Sequence, residues 1–461
     1  MNTLIINVSL RPHSLVKLFP IGLGYIATAI KKAGFSFDLL DIDAHRYTDA
    51  QIEKLIRKKQ YDVVCMGCVV TGYKIIKSLA LLIKNCHPHA TVIAGNSVAS
   101  SIVTPLLSRT KVDIAVMGEG DETIVELLQA LSNSLPIENV PGICFVRDGQ
   151  IVTTPPRNLI RDISSLPFID FSIFDVEAYI ATSRYGTHDP LPISREDVRA
   201  LPINTARGCI ANCDFCYHVF KGKPYRFRSA ISIVSEIKAM MEAYNLNYIQ
   251  FWDELTFFSK KQIKCFVQTI LNENIHFYWV ASCRADLFSS DEDLPLLAGM
   301  KKAGCLGLGY SLESADPDIL KAMKKNITVE KFSQQTGLLQ KAGLATLTSL
   351  VFGYPQETPE TIRKTFDCCI ENNIYPSSGY LLPQPGSDMY DYAVSDGFIP
   401  DEEEYFLQMG DRQDLRLNLT KMSNSEFELN VAEGLKRCNA QLNLGLKDDA
   451  LIKTQHFRSK K

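Results

Sequence analysis

Three closely spaced cysteines are the residues of this sequence with the clearest chemical potential. Cys209, Cys213 and Cys216 are spaced C-x3-C-x2-C, directly after an apolar run at 201–205 that predicts a strand. Each thiolate on such a loop can bind one iron of a cubane [4Fe–4S] cluster, which leaves a fourth iron open to an external ligand. Zinc is the alternative, but it needs a fourth protein ligand, and His218 lies so near Cys216 that tetrahedral closure would be strained. The spacing favours the cluster.

The elements that must position this loop repeat along residues 199–400. Apolar strand candidates alternate with helical patterns, and each strand candidate ends in polar or glycine-containing residues. The strand candidates are 203–205, 248–252, 276–281, 306–310, 346–352 and 378–382. This pattern predicts a partial (β/α)6 barrel of the TIM type, whose chemistry lies at the carboxyl ends of the strands. Trp252 and Trp279 are expected in its core.

Residues 1–140 show a second run of alternating strand and helix patterns with short connections. This alternation predicts a doubly wound, Rossmann-like parallel sheet, which binds ligands beyond the carboxyl ends of its strands. Residues 141–198 read as a hairpin with an Asp148-Gly149 turn, followed by an interdomain linker. A stretch of that linker around His188 either covers the active site or merely connects. Residues 401–461 predict a small, mostly helical C-terminal region, in which Asp401–Glu404 is a solvated helix start.

The composition of the chain gives no sign of a nucleic-acid-binding, membrane-spanning or secreted protein. The chain has 461 residues, 46% of them hydrophobic, and a net charge of −3, so nothing in the bulk charge points to nucleic acid. No apolar run reaches the roughly 20 residues that cross a bilayer, so we expect no integral membrane segment. The N-terminus predicts a strand rather than a signal peptide. The remaining cysteines are scattered, as expected for thiols in a reducing cytoplasm.

The cysteine loop closely resembles that of the radical SAM enzymes. The resemblance rests on the C-x3-C-x2-C spacing, the aromatic Phe215 before the last cysteine and Tyr217 after it. It implies that S-adenosylmethionine (SAM) binds the open iron and that its reduction releases a 5′-deoxyadenosyl radical. It also assigns SAM-binding roles to strand-end residues: Tyr217, Asp253, Glu254, Arg284, Glu313 and Gly353. Asp253 and Glu254 would contact the methionyl amine, and Glu313 the ribose hydroxyls.

The glycine loops of the first 140 residues resemble those of the cobalamin-binding domain that precedes the radical SAM domain in one large subgroup. The matching positions are Gly22, Thr71, Gly95, Asn96, Gly118, Glu119 and Gly120. Asn96 stands where that subgroup has a second glycine, and Asp121 where it has a glutamate. The loop that supplies a lower axial histidine to cobalt in other cobalamin proteins is absent. His13 is the one nearby imidazole, and a surface or packing role is favoured for it.

The combined resemblance implies a cobalamin-dependent radical SAM enzyme with a [4Fe–4S] cluster, SAM and cobalamin as cofactors. The expected reaction is methylation of an unactivated carbon in a small-molecule substrate, with electrons from a donor such as flavodoxin or ferredoxin. Non-methylating cyclisation, ring contraction or oxidative rearrangement is the alternative within the family. A cobalamin or cluster sensor without turnover is the alternative of another class. A methylthiotransferase is disfavoured, because that group typically has further cysteines in its N-terminal domain and a nucleic-acid-binding tail. Cys65 and Cys68 form a C-x2-C pair, but they lie along one predicted strand and point to opposite faces.

Overall fold

The N-terminal part of the chain forms a seven-stranded sheet in the computed structural model, which describes residues 1–452. Its strands are β1 (Thr3–Asn7), β2 (Phe37–Asp41), β3 (Val63–Gly67), β4 (Thr91–Gly95), β5 (Ile114–Val116), β6 (Ile143–Arg147) and β7 (Gln150–Thr153). They lie in the order β2-β1-β3-β4-β5-β6-β7, with β1 to β5 parallel. An order of 2-1-3-4-5 with crossover helices is that of a doubly wound sheet, so the predicted fold class is confirmed.

Helices cover both faces of this sheet. They are α1 (Ile21–Lys32), α2 (Ile42–His45), α3 (Asp49–Arg57), α4 (Tyr73–Cys86), α5 (Ser97–Ser101), α6 (Val103–Arg109) and α7 (Thr123–Ser132). Successive strand residues point to opposite faces, so Ile5 and Ile6 enter two separate hydrophobic cores. The chain around residues 100–107 forms two short helices, α5 and α6.

The hairpin predicted within 141–198 is present and belongs to the sheet. Asp148 and Gly149 have φ angles of 51° and 76°, as a tight hairpin turn requires. β6 pairs antiparallel with β5, so the hairpin extends the N-terminal sheet at its edge. The rest of the linker contains helix α8 (Val176–Ser183) and irregular segments.

The second domain is a partial barrel. Its strands are β8 (Ala200–Ile203), β9 (Ala206–Arg207), β10 (Arg226–Phe227), β11 (Tyr248–Phe251), β12 (Tyr278–Ser282), β13 (Cys305–Gly309), β14 (Ala345–Leu347), β15 (Ser349–Phe352) and β16 (Ser377–Tyr380). The parallel sheet runs β14-β13-β12-β11-β8, and β15 pairs with β16. The predicted fifth strand is broken at Thr348, so that β14 pairs with β13 and β15 with β16. The predicted (β/α)6 order along the chain is confirmed.

Helices surround the barrel and form the C-terminal region. They are α9 (Ala230–Tyr244), α10 (Lys260–Asn272), α11 (Leu294–Lys302), α12 (Pro317–Ala322), α13 (Val329–Lys341), α14 (Pro359–Glu371), α15 (Asp388–Ser395), α16 (Glu402–Gln408) and α17 (Asn424–Gln441). Trp279 is fully buried and its indole N–H donates to the Ala303 carbonyl at 2.8 Å, as expected of a core residue. Trp252 is only half-buried, so the core prediction fails for it.

The C-terminal region contacts both domains. Glu403 accepts hydrogen bonds from the Tyr73 hydroxyl at 3.1 Å and from Arg109 at 2.9 Å, so the prediction of a merely solvated helix start is wrong at this residue. α17 packs against α14, where Gly434 leaves room for the Phe366 ring. The predicted region 401–461 is described as far as 452, and residues 453–461 lie outside the described part. Within residues 1–452 no helix is long and apolar enough to span a bilayer.

Candidate functional site

The cysteine loop lies at the barrel rim and is closed by a short ladder. β9 and β10 pair antiparallel on either side of the loop, and Gly208 enters it at a φ of +92°, which favours glycine. Cys213 is buried, Cys209 half-buried and Cys216 exposed, and all thirteen cysteines of the chain are free thiols. Desolvation, together with the neighbouring thiols of Cys213 and Cys209, raises the pKa of Cys216 to about 12.

Asp214 anchors the loop to the barrel from three directions. Its carboxylate accepts a short hydrogen bond from the Tyr354 hydroxyl. Its backbone N–H donates to the Met323 carbonyl at 3.1 Å, and its carbonyl accepts from the Met389 N–H at 3.2 Å. These contacts fix the segment between Cys213 and Cys216. Sequence reasoning missed Asp214, because nothing in its spacing separates it from an ordinary loop residue.

The acidic pair after β11 divides into two roles. Asp253 accepts from the N–H groups of Thr205 and Ala206 at 2.7 and 3.0 Å, and from the Asn204 side chain at 2.8 Å. Its carboxylate therefore holds the backbone that leads into the loop, and burial raises its pKa to about 6. Glu254 is exposed and accepts weakly from the Gly208 N–H at 3.3 Å. Contact with SAM stays a prediction for both, and of the two Glu254 has the free oxygen for it.

Among the described residues, the three cysteines have no fourth protein ligand in place for a zinc ion. Among residues 1–452, no group of three or more His, Cys, Asp or Glu side chains converges as the shell of one metal ion does. A zinc site needs its ligand atoms in one tetrahedron, whereas a cubane spreads its thiolates over separate irons. His218 is partly buried with its Nδ1 unbonded and completes no tetrahedron with the cysteines.

Glu313 carries the feature that most clearly awaits a ligand. It follows β13 with a left-handed φ of 67°, is 5% exposed, and its Oε2 has no hydrogen-bond partner. Its Oε1 accepts from the Lys325 ammonium at 2.9 Å. Burial alone would lower the pKa of Lys325, but the charges of Glu313 and Cys213 raise it. An orphaned buried carboxylate oxygen fits a hydroxyl donor such as those of a ribose.

The other predicted SAM residues also lie near the carboxyl ends of the barrel strands, and we call the opening that these ends surround the mouth. Arg284 donates to Asp286 at 3.0 Å and to the Asn326 carbonyl at 3.2 Å. Tyr217 packs on Gly386, where an added Cβ would stand 2.5 Å from its ring. Gly353 has a φ of +120° and donates its N–H to Glu357, whose pKa burial raises to about 7. Lys325 joins this group without having been predicted, since only its partner Glu313 marks it.

A cavity lies between the carboxyl edge of the N-terminal sheet and the cysteine-loop side of the barrel. The predicted residues Gly22, Gly95, Asn96, Gly118, Glu119 and Gly120 line it, and Thr71 does not. Residues that were not predicted complete the wall: Tyr25, Met66, Gly67, Asn204, Arg207, Phe220 and Trp252. No histidine is among the described residues that line it, and His13 is exposed elsewhere.

The glycines of this cavity fit a large, flat ligand. A Cβ added at Gly22, Gly95 or Gly118 would meet nothing within 4 Å, so the backbone itself borders open space. Apolar side chains such as Ile26, Ile93 and Val116 supply much of the remaining wall. Close backbone approach over an apolar cavity suits the corrin and nucleotide parts of cobalamin.

The acidic residues of the glycine loop line the cavity and also contact the barrel. Arg207 and Arg226 are cross-strand partners in the β9–β10 ladder, and both donate to Glu119, at 2.6 and 2.8 Å. Arg207 also binds both oxygens of Asp121 at 2.9 Å. All four side chains are at most 9% exposed. We call these four residues the interdomain clamp; it joins the glycine loop to the strand that starts the cysteine loop.

Comparison with known proteins gives two family matches. A model described as a B12 binding domain matches residues 13–128, and one described as the radical SAM superfamily matches residues 203–369. Both matches confirm the resemblance stated from the sequence, and with it the cofactors of the two domains.

Individual relatives agree along most of the chain. An uncharacterized methyltransferase, PH0819, from Pyrococcus horikoshii is 26% identical over 385 residues, which cover 82% of this chain and 79% of that protein. Anaerobic magnesium-protoporphyrin IX monomethyl ester cyclase from Rubrivivax gelatinosus is 24% identical over 396 residues, covering 84% of this chain and 68% of that protein.

A solved structure shares the fold. TsrM, a radical S-adenosylmethionine methyltransferase from Kitasatospora setae with tryptophan substrate and a SAM analogue bound, matches at a TM-score of 0.67 and 19% identity, over 86% of this chain and 77% of that chain. This chain thus combines three features: the order of the two domains, a cysteine loop on the barrel rim, and a glycine-lined cavity that faces this loop. This chain belongs to the radical SAM enzymes that carry a B12-binding domain ahead of the radical SAM domain.

Proposed function

We propose that the chain is a cobalamin-dependent methyltransferase that acts on an unactivated carbon of a small-molecule substrate. One observation carries the proposal: the glycine-lined cavity opens on the barrel rim that bears the cysteine loop. Arg207, Trp252 and Glu254 line that cavity, and Arg207 directly precedes the loop glycine Gly208. A methyl donor in the cavity and a radical source at the loop would therefore meet at one mouth.

Each part of the chain has a binding task in this proposal. Cys209, Cys213 and Cys216 hold three irons, and Glu313 offers its unbonded Oε2 to the ribose hydroxyls of SAM. Glu254 pairs with the methionyl amine, and Arg284 with the carboxylate. Tyr217 and Gly353 border the adenine. Asp253 keeps the loop backbone in place instead of contacting SAM.

The cofactors, when bound, supply a carbon-centred radical and a transferable methyl group. The protein's contribution is positioning and exclusion of water. The interdomain clamp fixes the cavity against the cysteine loop, and the apolar side chains of the glycine-lined cavity keep solvent from reactive carbon. In the N-terminal domain, Gly22, Gly95, Asn96, Gly118 and Gly120 would contact cobalamin.

A non-methylating reaction is the second candidate, and the similarity to a cyclase favours keeping it. Both reactions use the same radical source, and they differ in whether SAM also donates a methyl group. The two therefore separate by product, not by fold.

The experiment supplies the reconstituted, reduced and cobalamin-loaded protein with SAM labelled on its methyl group, without substrate. Methyltransfer predicts one S-adenosylhomocysteine per cobalamin and label on the cobalamin, measured by mass spectrometry. Formation of 5′-deoxyadenosine alone, with unlabelled cobalamin, would contradict methyltransfer and favour cyclisation or rearrangement.

We further propose a one-electron donor of the flavodoxin or ferredoxin class, in the cytoplasm. Cys216 is exposed, so the cluster loop is reachable from the surface. Thirteen free thiols suit a reducing compartment. Reduction of the reconstituted cluster by reduced flavodoxin, followed by electron paramagnetic resonance (EPR), tests this: no cluster signal would contradict it.

A further inference from the structure

The barrel contains a second, partly open cavity of about 380 Å³. Its wall is formed by the inner side of the strands from β11 to β16 and by two linker residues. The polar side chains of the wall are His188, Tyr248, Gln250, Ser282, Tyr310, Ser311, Thr348, Ser349 and Ser377. Trp252 borders this cavity and the glycine-lined cavity alike. The barrel cavity is thus next to the place where both cofactors act.

The two cavities differ in charge. Glu119, Asp121, Arg207 and Glu254 line the glycine-lined cavity, whereas no Asp, Glu, Lys or Arg is among the described residues that line the barrel cavity. The charged groups of the barrel, such as Glu313 and Lys325, stand at the mouth. A charged ligand group inside the barrel would lose part of its hydration and gain no ion partner from the lining residues, which is unfavourable.

Neutral hydrogen-bonding groups are abundant in the barrel cavity. The hydroxyls of Ser311 and Ser349 lie 2.6 Å apart and bond to each other. The Ser282 hydroxyl accepts from the Thr256 N–H at 3.0 Å. Hydroxyl groups of this kind can donate and accept, so they suit alcohols, carbonyls and amides rather than ions.

The linker closes the side of the barrel. The Gln250 amide donates to the Gly186 carbonyl at 3.4 Å, and the backbone of His188 hydrogen-bonds to the Tyr248 hydroxyl. The linker stretch around His188 therefore covers one side of this cavity. A substrate reaches this cavity from the mouth, reacting end first.

We infer that the part of the substrate that enters the barrel is uncharged and bears hydroxyl, carbonyl or amide groups. The inference builds on the proposed function, because it takes this cavity as the substrate site. Charged groups of the substrate, where it has them, stay outside the barrel.

The test uses three probes of one shape and different charge: benzamide, benzoate and benzamidine. The protein is loaded with cobalamin, so that the glycine-lined cavity is filled, and labelled with 5-fluorotryptophan. The chain has two tryptophans, so two fluorine resonances result, and Trp252→Phe assigns the one at the cavity. The Trp279 resonance, from the core, is the internal reference.

The inference predicts that benzamide shifts the Trp252 resonance and binds at least about tenfold more tightly than either ion. Benzoate or benzamidine binding as well as benzamide would overturn it. So would the absence of any shift up to about 10 mM, since ligands of this size reach millimolar affinity in a fitting pocket. No turnover is involved, so a failure of methyl transfer and a failure of this inference are separate results.

A charge placed in the cavity should reverse the order. Gln250→Glu is nearly isosteric and should make benzamidine the tightest of the three probes by about tenfold. Gln250→Met, a neutral change of similar size, should leave benzamide first. If circular dichroism shows that Gln250→Glu is unfolded, Ser349→Asp serves in its place. A folded acidic variant that still prefers benzamide would overturn the inference.

Discussion

The two cofactor rims of this molecule face each other and are built from opposite materials. The N-terminal rim presents backbone: Gly22, Gly95 and Gly118 border open space where any other residue would place a side chain. The barrel rim presents side chains: three thiols and the carboxylate of Glu313. A large, mostly uncharged ligand is bound through a wide contact surface and close approach of the backbone. Iron and a cationic sulfonium are bound instead by individual thiolate and carboxylate groups.

The difference also determines where charge is used. At the barrel rim, charge is left without a hydrogen-bond partner in the protein, at the Oε2 of Glu313. At the N-terminal rim, charge faces the other domain, because Glu119 and Asp121 are both bound by Arg207. The segment Gly118-Glu119-Gly120-Asp121 therefore has two functions: its glycines border the cavity, and its two acidic residues join the domains.

The largest effect should come from removing the point ligands. Replacing Cys209, Cys213 and Cys216 together by alanine should abolish iron binding and formation of 5′-deoxyadenosine, since no other residues can replace the thiolates. Cobalamin binding should persist, because it depends on the opposite rim. Iron analysis and visible spectroscopy measure both. A variant that still bound iron and formed 5′-deoxyadenosine would contradict the assignment of the three thiolates.

Breaking the interdomain clamp should reduce stability next most strongly. Glu119→Gln leaves two buried arginines short of a charge, and breaking such a pair costs about 3 kcal/mol. Denaturant unfolding should show the loss. Glu53→Gln, which removes an exposed ion pair with Arg57, should change stability by less than about 0.5 kcal/mol.

The same Glu119 variant distinguishes a clamp residue from a cobalamin ligand. When cobalamin affinity is measured under conditions in which the variant is fully folded, well below its unfolding transition, it should change little. A large affinity loss in fully folded Glu119→Gln would show that its carboxylate acts on the cofactor directly.

Filling the N-terminal rim should weaken cobalamin binding specifically. Gly95→Leu places a side chain in the cavity without backbone strain, and we expect about a 100-fold loss of cobalamin affinity. Iron content should stay unchanged. Gly337→Leu is the matched control, because Gly337 also borders open space but lies on exposed α13. Equal cobalamin binding by the two variants would contradict the assignment of the cavity.

The smallest effect should be on SAM. Glu313→Gln keeps the shape of the side chain and removes its charge, so a charge-assisted hydrogen bond is weakened and SAM affinity should fall about tenfold. Equilibrium dialysis measures it. Glu371→Gln, on the exposed side of α14, controls for the loss of one negative charge. Unchanged SAM affinity would remove Glu313 from the SAM site.

The parts of this account that depend on local pattern could be predicted from the sequence. Strand–helix alternation fixed both sheets, and the loop spacing identified the cysteines, because periodicity and ligand spacing are local properties. Most roles that depend on contacts across the molecule could not be predicted; the exception is Arg226, whose motif Tyr-Arg-Phe-Arg indicates a structural or interdomain role and which binds Glu119. Nothing near Arg207 indicates that it meets Asp121 in another domain, and alternation alone could not show that Trp252 lies at the boundary of two cavities.

The remaining differences between predicted and observed roles depend on which groups each side chain contacts in the folded protein. Asp253 and Glu254 are adjacent and chemically alike, yet one holds loop backbone and the other faces the mouth, because they point to opposite sides of the strand end. Thr71 matched by position but lies away from the cavity, since the strand before it ends at Gly67 and the chain then turns into α4.

The central claim is that the two rims bring both cofactors to one mouth. EPR of the protein loaded with cob(II)alamin and a reduced cluster tests it most directly. The account predicts spin–spin coupling that broadens or splits both signals, and its loss in the alanine variant of the three cysteines. A spectrum equal to the sum of the two singly loaded forms would contradict the claim.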